Sequence, residues 1–463
     1  SFASPLPDSV RRPLATVLLF VISAGLAWSA YAAGWPREQW LIVGILTWTV
    51  LLWMTETLPL FATAFISFAS QLILLGNPGG WTWLGFENAE GPPPRAFLNA
   101  AVDPVLLLFF GGLVLSRAVT TSRLDARIAA QVLRPMSGSP SRLLLGVILT
   151  TSCFSLLMSN TATTALILAL IAPVLAQVPP DDPFRKALLL AVPVSANVTG
   201  MSTPIASPPN AIAVSYLARE NVSMDFVEWM LTAVPIVIVL LAITWWRLQR
   251  LFPPTEANWR IEFPDARLTR RGALVMGIAI VTFACWVTEP LHGVPASVVA
   301  MLPVTLLFAT GSFTREDVNS LDWDVLILIA GGLTLGYSLQ VTGLDGRLAA
   351  LVPAGSRDLA RVAVLVAATI GLGTFFSNTA IASMLMPVAI IAAGFGSGSV
   401  DVVSYSLAVA LAASLSMALP VSTPPNAMTY ARGGLRSTDF LRTAGFIGVV
   451  GAAVVVVVVV YLR

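Results

Sequence analysis

Two stretches, MSNTATT at 158–164 and FSNTAIA at 376–382, decide the fold, because each places the polar tripeptide Ser-Asn-Thr inside a long apolar run. The chain around them has 463 residues, of which 56% are hydrophobic and only 11% are charged. Soluble proteins carry about 25% charged residues, so this composition indicates an integral membrane protein. The apolar runs are roughly 20 residues long, which suits α-helices that cross a bilayer. The sequence therefore predicts an all-α polytopic membrane protein.

The hydropathy pattern predicts eleven membrane-spanning helices. Two further apolar stretches, 141–175 and 360–393, carry the tripeptides, and each is compatible with two more spans or with a re-entrant hairpin. The first apolar run is longer than the h-region of a usual signal peptide, so we expect it to be retained as a span. The predicted spans are 13–33, 38–57, 60–76, 103–120, 184–198 continuing at 208–218, 227–247, 272–289, 294–310, 324–340, 403–419 continuing at 425–432, and 441–462.

Arginine placement favours the hairpin interpretation. Four arginine clusters, beginning at Arg11, Arg117, Arg247 and Arg432, all fall on one side if the two stretches return to their own side. The positive-inside rule assigns that side to the cytoplasm. The prediction is a plasma (inner) membrane protein with a cytoplasmic N-terminus and an external C-terminus. Arg347, Arg357 and Arg361 then fall outside, against the rule.

The two halves of the chain repeat each other. WMTETLPL from Trp53 matches WVTEPLHG from Trp286, and TPIASPPNAIA matches LPVSTPPNAMT in the same order as the tripeptides. Each half holds an odd number of spans, so the second copy is expected to be inverted in the membrane, as in many secondary transporters. The predicted divisions are an N-terminal region and first span at 1–35, repeat 1 at 36–247 with hairpin 141–175 and broken helix 184–218, a cytoplasmic linker at 248–271, and repeat 2 at 272–463 with hairpin 360–393 and broken helix 403–432.

Paired prolines interrupt one apolar helix in each half, in SPPNA and TPPNA. Proline removes an amide donor, and broken helices in a membrane offer carbonyls to cations and helix N-termini to anions. Ser and Asn at the tripeptides fit a cation or anion site, although they are also favourable helix caps. The two Ser-Asn-Thr stretches and the two Pro-Pro-Asn interruptions contain no charged residue. Since a buried anion needs compensation, we expect bound sodium ions beside the substrate.

The paired tripeptides, LPVSTPPNAM and WMTETLPLFATA make the chain similar, over about residues 35–460, to the divalent anion–sodium symporter family, which includes di- and tricarboxylate carriers. The resemblance implies a homodimer whose protomers combine a scaffold domain with an elevator-type transport domain. It implies two sodium sites, made by Ser155, Ser159, Asn160 and a carbonyl near Ala206, and by Ser377, Asn378 and a carbonyl near Ser422. It also implies substrate contacts from Asn160, Thr161, Ser207, Asn378, Thr379 and Thr423.

Departures from the family pattern lie beside these positions. Thr199-Gly200 and Ala206-Ser207 stand where the family commonly has Gly-Gly and Gly-Thr, which predicts a less secure first sodium site. Gly373 stands five residues before Asn378, where the first half has Ser155, so one possible hydroxyl ligand is missing from the second site.

The predicted function is sodium-coupled uptake of a dicarboxylate such as succinate, malate or fumarate, by a protein that is not an enzyme and uses no organic cofactor. Its partners are a di- or tricarboxylate or another divalent anion, sodium and membrane lipid, with no nucleic acid. Alternatives within the family are a dicarboxylate exchanger, a sulfate carrier, or a proton-coupled carrier that uses Glu56 and Glu289. Alternatives of another class are a non-transporting scaffold or an intramembrane enzyme.

Two smaller predictions concern single residues. Arg123 and Arg127 lie in a basic amphipathic stretch, TTSRLDARIAAQVLRPM, which is typical of a helix on the cytoplasmic membrane surface. Cys153 and Cys285 lie in apolar runs, and we expect both to be buried without a disulfide.

Overall fold

A computed structural model describes residues 8–76, 92–122, 124–136, 138–255, 269–345, 347, 358–394 and 400–462. The described part of the first half is helical, with short connections. Its helices are α1 (Asp8–Ala32), α2 (Arg37–Thr55), α3 (Leu60–Ser70, continued by a π-helical turn to Leu75), α4 (Pro94–Ala101), α5 (Pro104–Thr121), α6 (Leu124–Leu133), α7 (Pro140–Ser155), α8 (Asn160–Gln177), α9 (Phe184–Thr199), α10 (Pro208–Arg219) and α11 (Phe226–Leu251).

The described part of the second half is also helical. Its helices are α12 (Arg270–Val287), α13 (Glu289–His292), α14 (Ala296–Val299), α15 (Met301–Ala309), α16 (Arg315–Asn319), α17 (Trp323–Val341), α18 (Asp358–Gly373), α19 (Asn378–Gly394), α20 (Val402–Leu415), α21 (Pro424–Ala431), α22 (Ser437–Phe440) and α23 (Phe446–Val457, extended by a π-helical turn to Leu462).

Eight helices within the described residues are long and apolar enough to cross a membrane. Seven of them coincide with predicted spans, and the eighth, Asn160–Gln177, is an arm of the first tripeptide hairpin. Three further predicted spans correspond to the shorter apolar helices Leu60–Leu75, Ala296–Ala309 and Val402–Leu415. The remaining predicted span is the interrupted pair α9 and α10. The all-α membrane fold is therefore confirmed.

Proline and short polar residues start the helices of the first hairpin and those that follow the two Pro-Pro-Asn loops. Pro140, Pro208 and Pro424 each occupy the first helical position, where a missing N–H costs nothing because that donor has no intrahelical partner. Ser159 caps α8, since its hydroxyl accepts a hydrogen bond from the Ala162 N–H at 3.3 Å. The local sequence thus starts α8 at the first tripeptide and starts α10 and α21 at the two Pro-Pro-Asn loops.

The two interrupted helices lie at the centre of the fold. Every residue of α9 from Ala187 to Thr199 is buried, as is every residue of α20 from Val403 to Leu415. A helix that is covered on all faces belongs in a protein core. Helices α2, α3 and α17 pack together on one flank, and α5, α12, α14 and α15 on another. Helix α17 joins the flank to the centre through contacts with α10 and α19.

Three further predictions concern the cysteines, the linker at 248–271 and Arg123. Both cysteines are free, but Cys153 is exposed and Cys285 is only partly buried, so the prediction of burial was wrong for Cys153. An apolar run does not reveal which face of its helix points away from the protein. Of the predicted linker, residues 248–251 end α11, and 256–268 lie outside the described residues. Arg123 also lies outside them.

Candidate functional site

The two hairpins, α7–α8 and α18–α19, interlock with the two interrupted helices. The first hairpin packs against α9 of its own half and, through α8, against α21 of the other half. The second hairpin packs against α20 of its own half and, through α19, against α10 of the other half. Each tripeptide therefore starts a helix that touches both halves of the chain, so one site can draw ligands from both repeats.

At the tip of the first hairpin, three oxygen atoms converge. The Ser155 hydroxyl is 2.8 Å from Asn160 Oδ1 and 3.0 Å from the carbonyl oxygen of Ala196 in α9. One hydroxyl proton can serve only one of these acceptors at a time, so the group is rich in unshared lone pairs. Hydroxyl, amide and carbonyl oxygens are the donors that hard cations prefer. These residues fit a sodium ion.

The close approach of Asn160 to α9 depends on Gly200. A Cβ atom added at Gly200 would lie 2.6 Å from Asn160 Nδ2 and 2.9 Å from Asn160 Oδ1. Ser159, half-buried, caps α8, and Ala206 lies buried in the loop at 200–207. The structure thus brings Ser155 and Asn160 together, and the Ser159 hydroxyl beside them also serves as a helix cap.

The tip of the second hairpin has a different arrangement. Asn378 Oδ1 is buried and has no hydrogen-bond partner among the described residues. The Ser422 hydroxyl donates to the carbonyl of Thr374 at 2.7 Å and accepts from the Leu419 N–H at 3.0 Å. A buried, unpartnered acceptor is costly unless a ligand satisfies it. Asn378 therefore also fits a bound cation, beside a loop that Ser422 ties to the hairpin tip.

The asparagine of each Pro-Pro-Asn loop closes that loop internally. Asn210 Nδ2 donates to the carbonyls of Gly200 and Thr203, both at 2.8 Å. Asn426 Nδ2 donates in the same way to Met417 and Leu419, both at 2.8 Å. Sequence analysis did not assign these residues, although the identical Pro-Pro-Asn triplets were a signal for them. They hold the non-helical backbone of both loops in place.

The two loops also contact each other's central helix. Asn197 of α9 donates through Nδ2 to Thr423 Oγ1 at 3.1 Å and to Asn426 Oδ1 at 3.2 Å. On the matching side, Ser414 of α20 lies 3.5 Å from Ser207, hydroxyl to hydroxyl. These contacts place Ser207 and Thr423, two of the predicted substrate-binding residues, at the junction of the two halves.

The remaining predicted substrate residues lie on the first turns of the hairpin helices. Thr161 is exposed, whereas Thr379 is buried. Ser377 and Asn378 are half-buried. Among the described residues no hydrogen bond joins one hairpin tip to the other. The structure therefore groups each tripeptide with its neighbouring loop.

Neither glutamate considered for proton coupling hydrogen-bonds to a hairpin in the described part of the chain. Glu289 Oε1 accepts from the Ala296 N–H at 3.2 Å, at the start of α14. Glu56 follows α2 in a left-handed conformation with φ of 46°. The contact of Glu289 is that of a helix-capping carboxylate.

A family model described as a citrate transporter, CitMHS, matches residues 50–412 of the chain. An uncharacterized transporter of Haemophilus influenzae is 29% identical, and the alignment covers 89% of each chain. The sodium-dependent dicarboxylate transporter SdcS of Staphylococcus saprophyticus is 25% identical, with coverage of 91% of this chain and 85% of the relative. An uncharacterized transporter of Schizosaccharomyces pombe is 26% identical over 89% of this chain and 48% of its own length.

Two solved structures share the fold. The YdaH transporter of Alcanivorax borkumensis superposes with a TM-score of 0.55 at 12% identity, over 86% of this chain and 97% of that one. MtrF of Neisseria gonorrhoeae gives a TM-score of 0.53 at 10% identity, over 80% and 83%. The family model covers most of the sequence, including both tripeptides and the first Pro-Pro-Asn loop. The chain is therefore a membrane transporter of the citrate transporter family, and the resemblance to divalent anion–sodium symporters is confirmed.

Proposed function

We propose that this transporter couples the uptake of a dicarboxylate of the succinate, malate or fumarate type to sodium. The observation that carries the proposal is the neutral, oxygen-rich chemistry of the two hairpin tips. The segments 155–161, 199–210, 373–379 and 416–426 contain no Asp, Glu, Lys, Arg or His. A dianion bound there meets no protein cation, so the compensating positive charge has to come from bound ions.

The oxygens at the tips supply the ion ligands in this proposal. Ser155, Asn160 and the Ala196 carbonyl converge within hydrogen-bond distance in the first half. Asn378 Oδ1 is buried without a partner in the second half. Sodium ions at these oxygens neutralise the substrate and complete its pocket, so each ligand raises the affinity for the other. The name of the relative SdcS, a sodium-dependent dicarboxylate transporter, supports this coupling.

Substrate carboxylates accept hydrogen bonds from the remaining neutral donors. Asn160 and Asn378 donate through their amides, and Thr161, Thr379, Ser207 and Thr423 donate through hydroxyls. Pro208 and Pro424 begin the second half-helices, α10 and α21, directly after Ser207 and Thr423. The N-terminal ends of these half-helices add partial positive charge toward a bound anion.

The remaining parts of the proposal concern movement and assembly. The hairpins and interrupted helices form the transport domain and move as an elevator against the flanking helices, in a homodimer of the inner membrane with a cytoplasmic N-terminus. Support comes from the packing of α2, α3 and α17 with one another, and of α5, α12, α14 and α15 with one another, beside the hairpins and interrupted helices.

The test is a thermal-shift series on the purified protein, with succinate, malate, fumarate, citrate and sulfate, in sodium and again with choline in its place. We expect stabilisation by a dicarboxylate only in sodium. Uptake into proteoliposomes should then require an inward sodium gradient, whereas an exchanger would need internal dicarboxylate instead. Equal binding of the preferred anion in sodium and in choline would overturn the proposal.

A further inference from the structure

The two halves place a serine and a glycine at exchanged positions around the tip asparagine. In the first half, Ser155 stands on the hairpin five residues before Asn160, and Gly200 follows the end of α9. In the second half, Gly373 stands on the hairpin five residues before Asn378, and Ser416 follows the end of α20. The hydroxyl therefore lies on the hairpin in the first half and at the end of the interrupted helix in the second half.

The Ser416 side chain occupies the room that a side chain at residue 373 would need. A Cβ atom added at Gly373 would lie 2.5 Å from Ser416 Oγ and 2.7 Å from Ser416 Cβ. The same Cβ position is 3.9 Å from Asn378 Oδ1. Ser416 Oγ and Asn378 Oδ1 therefore both lie within 4 Å of one position beside the Cα atom of Gly373. In the first half, Ser155 Oγ and Asn160 Oδ1 are in direct contact at 2.8 Å.

Both oxygen atoms have unused lone pairs. Ser416 is fully buried, and its hydroxyl lies 3.2 Å from the Thr369 carbonyl and 3.1 Å from the Ala412 carbonyl, to either of which it can donate. No donor to Ser416 Oγ is found among the described residues, and Asn378 Oδ1 has no partner there. Two buried oxygens with free lone pairs that border the same small region favour a small cation there.

We propose that Ser416 Oγ is a sodium ligand at the second site and replaces the hydroxyl that Gly373 cannot supply. The proposal rests on the sodium coupling proposed above. It adds a structural consequence: the second ion is held by side chains from both the hairpin and the C-terminal end of α20, whereas at the first site the hairpin supplies both side chains, Ser155 and Asn160, and α9 supplies only the Ala196 carbonyl. Sodium at the second site therefore fastens the hairpin to the central helix.

The experiment measures sodium affinity without transport. The full-length purified protein is titrated with NaCl at constant ionic strength, with choline as the replacement, and the melting temperature is followed without substrate. Ser416→Ala should raise the sodium concentration for half-maximal stabilisation by about tenfold or more, as expected for the loss of one contact to a charged group. Ser416→Cys keeps the shape of the side chain with a slightly larger atom but replaces the hard oxygen by sulfur, and should behave in the same way.

Two further variants separate a ligand from a packing residue. Ser406→Ala removes another buried hydroxyl of α20 that bonds the carbonyl four residues earlier, at 2.9 Å, and should leave the sodium titration unchanged. The exchange variant Gly373→Ser/Ser416→Gly rebuilds the arrangement of the first half and should recover the wild-type midpoint to within about threefold, whereas Ser416→Gly alone should not.

The outcomes separate this assignment from the proposed function. A wild-type sodium response that persists unchanged in Ser416→Ala and Ser416→Cys would overturn the assignment alone. An exchange variant no better than Ser416→Gly would also overturn it. A wild-type protein that binds dicarboxylate but does not respond to sodium would overturn the proposed coupling, and the assignment with it.

Discussion

In the first half of the chain the tip asparagine is held by its own hairpin, whereas in the second half it is not. Asn160 Oδ1 accepts from Ser155, but Asn378 Oδ1 has no partner among the described residues. At the Pro-Pro-Asn loops the second half is the one whose asparagine oxygen is bonded. Asn426 Oδ1 accepts from Asn197, while Asn210 Oδ1 is unpartnered in the described structure. In the two copies of the motif, different asparagine oxygens are hydrogen-bonded. The two copies should therefore respond differently to the same substitution.

The tip asparagines should give the largest effects. We expect Asn160→Ala and Asn378→Ala each to abolish sodium-dependent succinate binding, with affinity reduced about 10- to 100-fold or more by the loss of a contact to a charged ligand. Their stabilities without ligand should differ. Asn160→Ala loses the bond from Ser155, worth about 0.5–1.5 kcal/mol, whereas Asn378→Ala removes an acceptor that has no bond to lose.

Melting temperatures in choline and in sodium, with and without succinate, measure both effects. Intact sodium dependence in both variants would refute the site. Equal losses of stability in choline would show that the two asparagines are held alike, contrary to the structure.

The glycine beside Asn160 should give the next largest effect. Gly200→Ala introduces a Cβ atom 2.6 Å from Asn160 Nδ2, which is too close to be tolerated without a shift of Asn160. Since Asn160 is only half-buried, it can move and the fold should survive. We expect succinate affinity in sodium to fall about fivefold to tenfold, which corresponds to about 1 kcal/mol.

Gly371→Ala is the matched control, because an added Cβ atom there meets nothing within 4 Å on the second hairpin. Alanine is also the better helix former by about 1 kcal/mol. Its succinate titration in sodium should match the wild type. A Gly200→Ala variant that titrates like Gly371→Ala would argue against the close packing of Asn160 on α9.

The helix ends around the site follow from local sequence, but its cross-contacts do not. Ser159 as a cap and Pro208 and Pro424 as first helical residues can be predicted, because capping and proline geometry depend on a few adjacent residues. Asn197 contacts Thr423 across 226 residues of sequence. Such contacts depend on how α9 packs against α21. Aligning the two repeats identifies the matching residues but does not show which atoms they hydrogen-bond to.

The contact from Asn197 should affect the stability of the fold without ligand. Asn197→Ser copies the residue found at the matching position, Ser414, and removes the donor to Asn426 Oδ1 and Thr423 Oγ1. A buried acceptor without a partner costs about 1–3 kcal/mol, so the melting temperature in choline should fall. Ser414→Ala loses only a contact at 3.5 Å, close to the limit for a hydrogen bond, and should cost less. Equal losses would mean that the two cross-contacts are equivalent.

The smallest effects are expected at the arginines of the repeated sequences LDAR and LDGR. Arg127 lies half-buried in α6, and the Cζ atom of Arg347 lies 4.7 Å from the centre of the Trp35 ring. We expect Arg127→Ala and Arg347→Ala to retain most succinate uptake in proteoliposomes, because neither is near the tips in sequence. Arg347→Ala should lower stability by about 0.5–1 kcal/mol, the value of an exposed cation–π contact.

Transport by the Arg127→Ala variant therefore tests how far the difference between the halves extends. If it folds but does not transport, while Arg347→Ala still does, α6 takes part in the transport cycle and is not merely a surface helix. The two halves would then differ in the roles of Arg127 and Arg347 as well as at their hairpin tips. If both variants transport, the asymmetry that matters for transport lies at the uncharged hairpin tips and loops, around Asn160, Asn378 and the contact of Asn197 with Asn426.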